Sequence, residues 1–500
     1  MPIDLMTPSG VLLALLPEVV LTVAALGVLL VASWRHQGPV ASRLAGWLAL
    51  AGLMVTGAAL AWLGLQAPEA PGLGPMIALD GFRYVGSAMV LIVSAGSVLT
   101  SLGYLEREGL IAPEYYVLML LAVIGLLFMT SAQDLMVLFL GLETMSVAVY
   151  VLAGYDRRNR FSVEAGLKYF LLGAFASGFL LYGIALTYGA TGSTNLVFIG
   201  GQFAQGSVSL MGRLGLGLLI IGFGFKVAAV PFHMWAPDVY DGAPTPVTGF
   251  MATAVKTAAF IALTRALFTA FGSAVTDWQP VIFVIATASM VLGNFVALAQ
   301  SSLKRMLAYS SIAHAGYLLA ALWPGSWLGV SAMTFYLFGY GLTSIAAFAI
   351  VAALGRDGER DLTLADVAGL GEARPWMGAA LALCMLSLLG FPGTIGFIGK
   401  WYILSGLVVA GQGMLAVILV LTSVVSAGYY LPVIMAMYMR PSRAPLVYHD
   451  RGLAPTAALA VAVGVLLVLA LGVWPVDALR LADSAAASLA QAASELTAGQ

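Results

Sequence analysis

The feature that most constrains this chain is the regular recurrence of apolar runs about twenty residues long. A helix that crosses a bilayer needs about 20 consecutive, mostly apolar residues, and backbone groups inside lipid must find their hydrogen bonds within the protein. Such runs occur about fourteen times, and no stretch between them is long and polar enough to form a soluble domain. The sequence therefore predicts an all-α polytopic membrane protein. The predicted segments, numbered 1 to 14, are 11–34, 41–65, 82–104, 114–131, 133–154, 163–190, 211–236, 245–272, 278–299, 305–323, 327–354, 376–406, 411–439 and 453–474.

Composition excludes several other classes of protein. Hydrophobic residues make up 61% of the 500 residues and charged residues only 9%, against roughly a quarter in soluble domains. A net charge of −1 gives no basic face for nucleic acid. The single cysteine, Cys384, cannot form a disulfide framework, a zinc knuckle or an iron–sulfur site. There is no HExxH pair, and GFIGK is followed by Trp401 rather than by the serine or threonine of a P-loop. We expect no metal, redox cofactor or nucleotide in this chain.

Basic residues between the segments predict the orientation, because loops that remain in the cytoplasm are enriched in Lys and Arg. The connections after odd-numbered segments contain fourteen basic residues, and those after even-numbered segments contain two, Arg83 and Arg213. The fourteen are Arg35, Arg43, Arg107, Arg157, Arg158, Arg160, Lys304, Arg305, Arg356, Arg360, Arg374, Arg440, Arg443 and Arg451. Both termini are therefore predicted on the non-cytoplasmic side. This bias is a sufficient explanation for Lys304 and Arg305.

A charge within an apolar segment costs at least about 2.5–3.5 kcal/mol on insertion scales, and four of the residues in that position carry the functional interpretation. Glu143 is in segment 5, Lys226 in segment 7, Lys256 in segment 8 and Lys400 in segment 12. A lysine near a helix end can reach the interface by snorkelling, but Glu143 and Lys256 are about ten residues from either end. Charges at such depth face a bundle interior or a hydrated cavity and mark functional sites.

Two further residues have a structural explanation as well as a functional one. Lys168 begins segment 6 one turn after Glu164, and an i,i+4 Glu–Lys pair at the interface explains it equally well. His314 lies some eight residues into segment 10. A lone histidine on an apolar helix is more often a packing residue, although its titration range also suits a proton relay.

Two prolines interrupt segments that hold a lysine. Pro231, five residues after Lys226, cannot donate a hydrogen bond to the carbonyl of Val227, so segment 7 should break next to Lys226. Pro392, two turns before Lys400, does the same to the carbonyl of Leu388 in segment 12. Irregular backbone at membrane depth is tolerated only inside protein or beside a water-filled cavity. Interrupted helices at corresponding positions in two halves indicate a transport site between inverted repeats.

The two broken segments, 7 and 12, are five segments apart, which predicts two inverted five-helix repeats. Segments 1–3 occupy residues 1–112, the first repeat (segments 4–8) residues 113–275 and the second repeat (segments 9–13) residues 276–440. Residues 441–500 contain segment 14 and an Ala-rich tail, which we expect to form an amphipathic surface helix.

This pattern of charges can move protons. A buried lysine releases its proton more easily than one in water, and a nearby carboxylate opposes that release. At roughly 6–7 Å and an effective dielectric constant near 20, such a pair interacts by about 2–3 kcal/mol, which changes a protonation equilibrium about a hundredfold. Ser146 and Tyr150 follow Glu143 on its own helix face and can hold water. Glu143 could therefore control Lys226, with Lys256 and Lys400 passing the proton onward.

At these positions the chain resembles the N-subunit family of bacterial respiratory complex I, the proton-translocating NADH:quinone oxidoreductase, whose mitochondrial counterpart is NADH dehydrogenase subunit 2. The resembling stretches are GLETMSVAVYVLAG (141–154), EAGLKYFLLGAFASGFLLYGIALTYGATG (164–192), FKVAAVPFHMWAPDVYDGAPTPVTGFMATAVKTAAF (225–260), SSLKRMLAYSSIAHAGYLL (301–319) and GFPGTIGFIGKWY (390–402).

The resemblance implies an antiporter-like subunit with broken helices 7 and 12, in which proton transfer is driven by NADH-to-quinone electron transfer in partner subunits. The family's functional side chains on helices 5, 6, 7, 8 and 12 fall on Glu143, Lys168, Lys226, Lys256 and Lys400. Related M-type subunits have a glutamate at the Lys400 position. L-type subunits have a long lateral helix after the bundle, whereas about 26 residues follow segment 14 here, counted from 474 to 500. Both features favour the N type.

The resemblance also implies a setting. The partners would be the M-type subunit, small membrane subunits and the lateral helix of the L-type subunit, within the lipid of a bacterial inner membrane. FMN, iron–sulfur clusters and quinone would belong to partner subunits. Two alternatives use the same residues: a subunit of a multi-subunit sodium/proton antiporter, and a passive scaffold in the membrane arm.

Overall fold

The computed structural model of the protein is an α-helical bundle. It describes residues 8–34, 38–66, 76–110, 113–206, 208–355, 362–441 and 452–498, and within these ranges the only β-type pairings are isolated bridges. In chain order the α-helices are α1 (Pro8–Ala14), α2 (Leu16–Trp34), α3 (Pro39–Gln66), α4 (Gly81–Arg107), α5 (Glu114–Ser131), α6 (Leu135–Ala153), α7 (Arg160–Thr191), α8 (Leu196–Gln205), α9 (Leu210–Lys226), α10 (Ala236–Gly242), α11 (Thr245–Phe250), α12 (Lys256–Arg265), α13 (Val275–Leu298), α14 (Leu303–Leu322), α15 (Trp327–Leu354), α16 (Leu370–Ala373), α17 (Pro375–Leu389), α18 (Ile395–Val409), α19 (Gly413–Met439), α20 (Pro455–Val473) and α21 (Val476–Ala498).

The helices agree with the fourteen predicted segments. Within the described ranges, 11 helices are long and apolar enough to cross a membrane, and they correspond to every segment except 7, 10 and 12. Segments 7 and 12 are each split into two shorter helices, and segment 10 is the 20-residue helix α14. Segment 8 runs continuously from α11 to α12 through a π-helical turn. The predicted all-α polytopic membrane fold is confirmed.

Three helices outside the fourteen segments complete the fold. The tail forms α21, as the sequence predicted, and Ala485 and Leu489 are buried where it packs on the bundle. Tyr402 of α18 donates to Asp483 of α21 at 2.5 Å. The short helices α8 and α16 are not predicted by the sequence. A 10-residue apolar helix lacks the length of a membrane span, so the search for long apolar runs missed α8.

The order of helices repeats once along the chain. The first set is α5, α6, α7, the broken pair α9/α10 and α11–α12, and the second is α13, α14, α15, the broken pair α17/α18 and α19. The fourth member of each set is the interrupted one. The domain boundaries drawn at these positions stay predictions, and residues 111–112 and 442–451 at two of them lie outside the described residues.

The first interruption begins before its proline. Helix α9 ends at Lys226, and Ala228 adopts a left-handed φ of 56°. The amides of Ala228 and Ala229 donate to the carbonyls of Phe225 and Gly224, the hydrogen-bond pattern of a Schellman motif. Pro231 follows and cannot resume the helix. The predicted break next to Lys226 is therefore present, and the helix ends in this motif before Pro231 is reached.

The second interruption has the same construction. Helix α17 ends at Leu389, Gly390 has a φ of 88°, and the amides of Gly390 and Phe391 donate to the carbonyls of Ser387 and Leu386. Pro392 follows this Schellman motif, as Pro231 follows the first one. The sequence predicted the break at the Leu388 carbonyl, and the helix ends one residue later, at Leu389. Two unrelated stretches of sequence thus build matching half-helices.

A buried ionic cluster joins the N-terminal helices to the first repeat. Arg83 of α4 pairs with Glu18 of α2 at 3.0 Å, and both side chains are fully buried. Arg265 at the end of α12 binds Asp80 through Nη1 at 2.5 Å and Nη2 at 2.9 Å. The backbone amide of Arg83 also donates to Asp80. Arg83 was predicted to be a loop charge, and its burial against Glu18 corrects that prediction.

We expect Asp80→Ala to destabilise the protein by about 3–5 kcal/mol, because it leaves the buried guanidinium of Arg265 without its carboxylate. The measurement is the thermal unfolding of the detergent-purified protein complex, together with the amount of assembled complex in membranes. The matched control is Asp277→Ala, which removes an exposed pair with Arg213 at 3.4 Å and should cost less than about 1 kcal/mol. Equal effects of the two substitutions would contradict the structural importance of the buried cluster.

Candidate functional site

Glu143 lies near the middle of α6 on a half-buried face. Asp134 caps the start of this helix by accepting hydrogen bonds from the amides of Met136 and Val137. The Glu143 carboxylate accepts a hydrogen bond of 2.5 Å from Ser177 Oγ of α7. The carboxylate is thus held at membrane depth between two helices of the first repeat.

Lys226, the last residue of α9, is buried against the same face of α6. Its Nζ donates to Ser146 Oγ at 2.7 Å and to Tyr150 OH at 3.3 Å. Ser146 is one turn and Tyr150 two turns after Glu143, as the sequence predicted, but they contact the ammonium directly. Among the described residues no ion pair joins Lys226 directly to Glu143, whose carboxylate accepts from Ser177 instead.

Aromatic rings enclose the Lys226 ammonium on its other sides. Its Nζ lies 5.4 Å from the ring centroid of Tyr150, 5.9 Å from that of Tyr169 and 5.8 Å from that of Phe225. Trp235 stacks on Tyr169 at 4.3 Å and donates its indole N–H to the Phe225 carbonyl at 3.0 Å. These rings stabilise the cation, and Trp235 closes the open end of α9. Sequence reasoning missed Trp235, although it stands four residues after Pro231.

Lys256 connects the two repeats. It follows the π-helical turn Met251–Val255, a feature often found at functional sites, and it is only 1% exposed. Its Nζ donates to the Ser311 carbonyl at 2.6 Å and to Ser311 Oγ at 2.5 Å, across to α14. Tyr340 of α15 donates to the same hydroxyl at 2.9 Å. Lys256 belongs to the first repeat, but its hydrogen-bond partners lie in the second.

His314 lies at the centre of a group of hydroxyls in the second repeat. Its Nδ1 is 2.6 Å from Tyr336 OH and its Nε2 is 3.2 Å from Tyr430 OH. Tyr430 OH also bonds to Ser310 Oγ. The imidazole packs 5.0 Å from the ring of Tyr340, the tyrosine that binds the partner of Lys256. Hydroxyls thus satisfy both ring nitrogens, as any buried histidine requires, and the relay role of His314 stays a prediction.

Lys400 of α18 turns back to the open end of α17. Its buried Nζ donates to the Leu389 carbonyl at 2.9 Å and lies 4.8 Å from the ring centroid of Tyr317. The Tyr317 hydroxyl accepts a hydrogen bond of 3.0 Å from Asn294. The helix interruption thus creates the acceptor that holds the lysine, one residue beyond the carbonyl that the sequence indicated.

Lys168 has the predicted partner and a further one. Its Nζ is 2.7 Å from Glu164 and also 2.7 Å from Asp238 of α10, while Arg305 of α14 binds the other oxygen of Asp238 at 2.8 Å. The loop-charge bias therefore does not fully explain Arg305. Asp238 lies in the motif WAPDVYDGAP and was not among the predicted site residues.

Together these side chains form a line of ionisable groups from α6 to α18. Glu143 and Lys226 lie at one end, Lys256 spans the boundary between the repeats, and His314 and Lys400 lie at the other end. Serine and tyrosine hydroxyls contact Lys226, Lys256 and His314. Hydroxyls donate and accept, so such a line can relay a proton without a metal or a redox group in this chain.

Comparison with known proteins places this arrangement in context. The family model described as "NADH:quinone oxidoreductase/Mrp antiporter, TM" matches residues 132–426. A protein named NADH-quinone oxidoreductase subunit N from Trichlorobacter lovleyi is 44% identical over 432 residues, covering 85% of this chain and 87% of the relative. A protein of the same name from Gemmatimonas aurantiaca is 43% identical, covering 96% and 95% of the two chains.

Solved structures have the same fold. A chain of respiratory complex I from Thermus thermophilus with bound aureothin is 37% identical and superposes with a TM-score of 0.78, covering 93% of this chain and 99% of that one. A chain of the Mrp complex from Dietzia sp. DQ12-45-1b superposes with a TM-score of 0.83 at 22% identity, covering 97% and 99%. The second likeness concerns the fold alone.

Proposed function

This chain belongs to the NADH-quinone oxidoreductase subunit N family, and we propose that it moves protons across the membrane through Glu143, Lys226, Lys256 and Lys400. It is a membrane subunit of the respiratory NADH:quinone oxidoreductase, complex I. The observation that supports this function best is the hydrogen-bonded placement of three buried lysines along the line that joins the two repeats.

The proposed transfer begins with Glu143. A change in its charge or position alters the field at Lys226, which is held on the Ser146 and Tyr150 hydroxyls. Lys226 then releases its proton into a hydrated path toward Lys256 and becomes a neutral amine. Lys256 passes the proton to the Ser311 and Tyr340 hydroxyls beside His314, from which it reaches Lys400. Lys168 and His314 form a secondary path. Each lysine is restored by taking up the next proton.

The surroundings of the subunit are part of the proposal. Its partners are the M-type antiporter-like subunit, small membrane subunits and the lateral helix of the L-type subunit, and FMN, iron–sulfur clusters and quinone reside in partner chains. The location is the bacterial inner membrane, with both termini on the non-cytoplasmic side, because basic residues concentrate in the loops after odd-numbered segments. Of those residues, Arg35, Arg356, Arg360, Arg443 and Arg451 lie outside the described residues.

The sodium/proton antiporter alternative shares the fold. The complex I relative with a solved structure is 37% identical to this chain, and the Mrp relative 22%. The stronger likeness favours redox-driven proton transfer. A passive scaffold would require no buried ammonium groups, whereas those of Lys226, Lys256 and Lys400 are buried and each is held by a hydrogen bond.

We expect Glu143→Gln to lower NADH-driven proton uptake into inverted membrane vesicles about tenfold or more, because the amide cannot bring a negative charge to Lys226. Uptake would be measured by the quenching of a pH-sensitive dye, with the assembled complex quantified in the same membranes. Asp156→Asn, at an exposed pair with Arg158, is the control and should pump normally.

Normal pumping by Glu143→Gln in assembled complex would contradict the proposal and favour a scaffold. Sodium dependence separates the remaining alternative. Proton uptake that persists in sodium-free buffer fits the proposal, whereas uptake that requires sodium would support antiport.

A further inference from the structure

The half-helix α10 has charged contacts with both repeats. Asp238, in its first turn, accepts from Lys168 of α7 at 2.7 Å through Oδ2 and from Arg305 of α14 at 2.8 Å through Oδ1. Asp241, one turn later, accepts from Ser302 Oγ at 2.9 Å and lies 3.8 Å from Arg305. One carboxylate, that of Asp238, thus ties the first repeat to the second.

Residues at the two ends of α10 are connected to Lys226 and to Lys256. Trp235, immediately before α10, hydrogen-bonds the Phe225 carbonyl and stacks on Tyr169, and both rings border the Lys226 ammonium. Near the other end, the Tyr240 carbonyl accepts from Thr248 of α11 at 2.9 Å. That helix continues directly to Lys256. A shift of α10 must therefore move Trp235, which borders the Lys226 site, relative to Lys256.

The exposure of these ion pairs suits a contact that opens and closes. The side chains of Lys168, Asp238 and Arg305 are 40%, 38% and 34% exposed in this chain. Partly exposed ion pairs are weak and can be broken by water, in contrast to buried pairs such as Arg265–Asp80. Glu164 offers Lys168 an alternative partner on its own helix. The pair between Lys168 and Asp238 can therefore open without leaving Lys168 unpaired.

We propose that Asp238 is a positioning residue that clamps α10 to both repeats and thereby controls the transfer of protons between Lys226 and Lys256. With the clamp closed, Trp235 covers the end of α9 and keeps cytoplasmic water from Lys226. With the clamp open, α10 moves away and Lys226 becomes accessible. This inference rests on the proposed function, since it assigns a control to the same line of lysines.

The test is Asp238→Asn in the complete complex in native membrane vesicles. The amide keeps the shape of the side chain but removes the charge that holds Lys168 and Arg305. We expect NADH oxidation to remain within about twofold of wild type, while the initial rate of proton uptake per NADH falls about threefold or more. Backbone amides of residues 227–235 should exchange hydrogen for deuterium about tenfold faster in the purified complex. Asp238→Glu should restore both values.

A double substitution tests the route through Trp235. Trp235→Phe removes the indole N–H that binds the Phe225 carbonyl. If Asp238 acts through Trp235, the double variant should pump no worse than the more affected single variant. If the pumping rate of the double variant instead falls by the product of the two single-variant losses, the route through Trp235 is overturned. If Asp238→Asn yields too little complex, Arg305→Gln removes one side of the clamp and should change pumping and exchange in the same direction.

Asp277→Asn is the matched control. Asp277 of α13 pairs with Arg213 of α9 at 3.4 Å, so it also joins the two repeats through a partly exposed ion pair. It should leave both pumping and exchange unchanged. Unchanged pumping and exchange in Asp238→Asn would overturn the clamp. If Lys226→Ala stops pumping while Asp238→Asn does not, only the clamp fails; normal pumping by Lys226→Ala would defeat the proposed function itself.

Discussion

Replacement of Lys226 by alanine is expected to abolish most NADH-linked proton pumping, with a loss of about a hundredfold in the step that this subunit performs. The ammonium of Lys226 contacts both Ser146 and Tyr150, and it lies at the open end of α9. Without it, a proton controlled by Glu143 has no amine to leave from or return to. The measurement is proton uptake by inverted vesicles, divided by the amount of assembled complex.

Loss of the ammonium must be separated from loss of packing. Lys226→Ala leaves a cavity and removes the hydrogen bonds to two buried hydroxyls, which also reduces stability. Lys226→Met fills most of the cavity without restoring a titratable group, so it should assemble better than the alanine variant and still not pump. Arg480→Ala changes an exposed basic residue on α21 and should behave as wild type. Pumping restored by methionine would show that Lys226 only fills space.

The sequence predicted the charged residues of the site because membrane burial is so costly for them. Glu143, Lys226, Lys256 and Lys400 are identifiable from their position within apolar runs alone. Their roles in transfer stay predictions. Their contacts could be identified only from the structure, because Lys226 and its partner Tyr150 are 76 residues apart in sequence, and Lys256 and Ser311 are 55 residues apart. Nothing in a single sequence specifies such pairs.

The two prolines correctly predicted that segments 7 and 12 are interrupted, but not the motifs in which the helices end. Both interruptions lie where Pro231 and Pro392 indicated, but the helices end earlier, in Schellman motifs at Ala228 and Gly390. A proline shows that a helix cannot continue. It does not show where the preceding helix ends, which depends on a left-handed residue upstream. An alanine rarely adopts that conformation, so the break next to Lys226 was predicted from Pro231, but the motif at Ala228 that ends α9 was not.

The residues that sequence reasoning missed are polar or aromatic side chains near the ends of helices. Asp238 and Arg305 follow the ordinary distribution of charge at membrane interfaces, and Trp235 is one of 10 tryptophans. Their positions carry no large free-energy cost of membrane burial, so an argument based on that cost does not identify them. Their importance depends on α10 lying between α7 and α14, which is a property of the tertiary fold.

Replacement of Lys256 by methionine is expected to stop transfer between the two repeats and to lower pumping about tenfold or more. Lys256 is buried and its ammonium contacts Ser311, whose hydroxyl also accepts from Tyr340 beside His314. Methionine has a similar length and fits an apolar environment, so the complex should assemble. Uptake by vesicles, normalised to assembled complex, is again the measurement.

Lys256→Arg distinguishes a titrating lysine from a fixed positive charge. An arginine keeps the charge and can still donate to Ser311, but it does not release its proton in proteins. If Lys256 carries the proton, the arginine variant should fail to pump as the methionine variant does. If its charge only sets the field within the bundle, arginine should restore pumping while methionine does not. That second outcome would remove Lys256 from the proton path and leave the hydroxyls of Ser311 and Tyr340 as the connection to the second repeat.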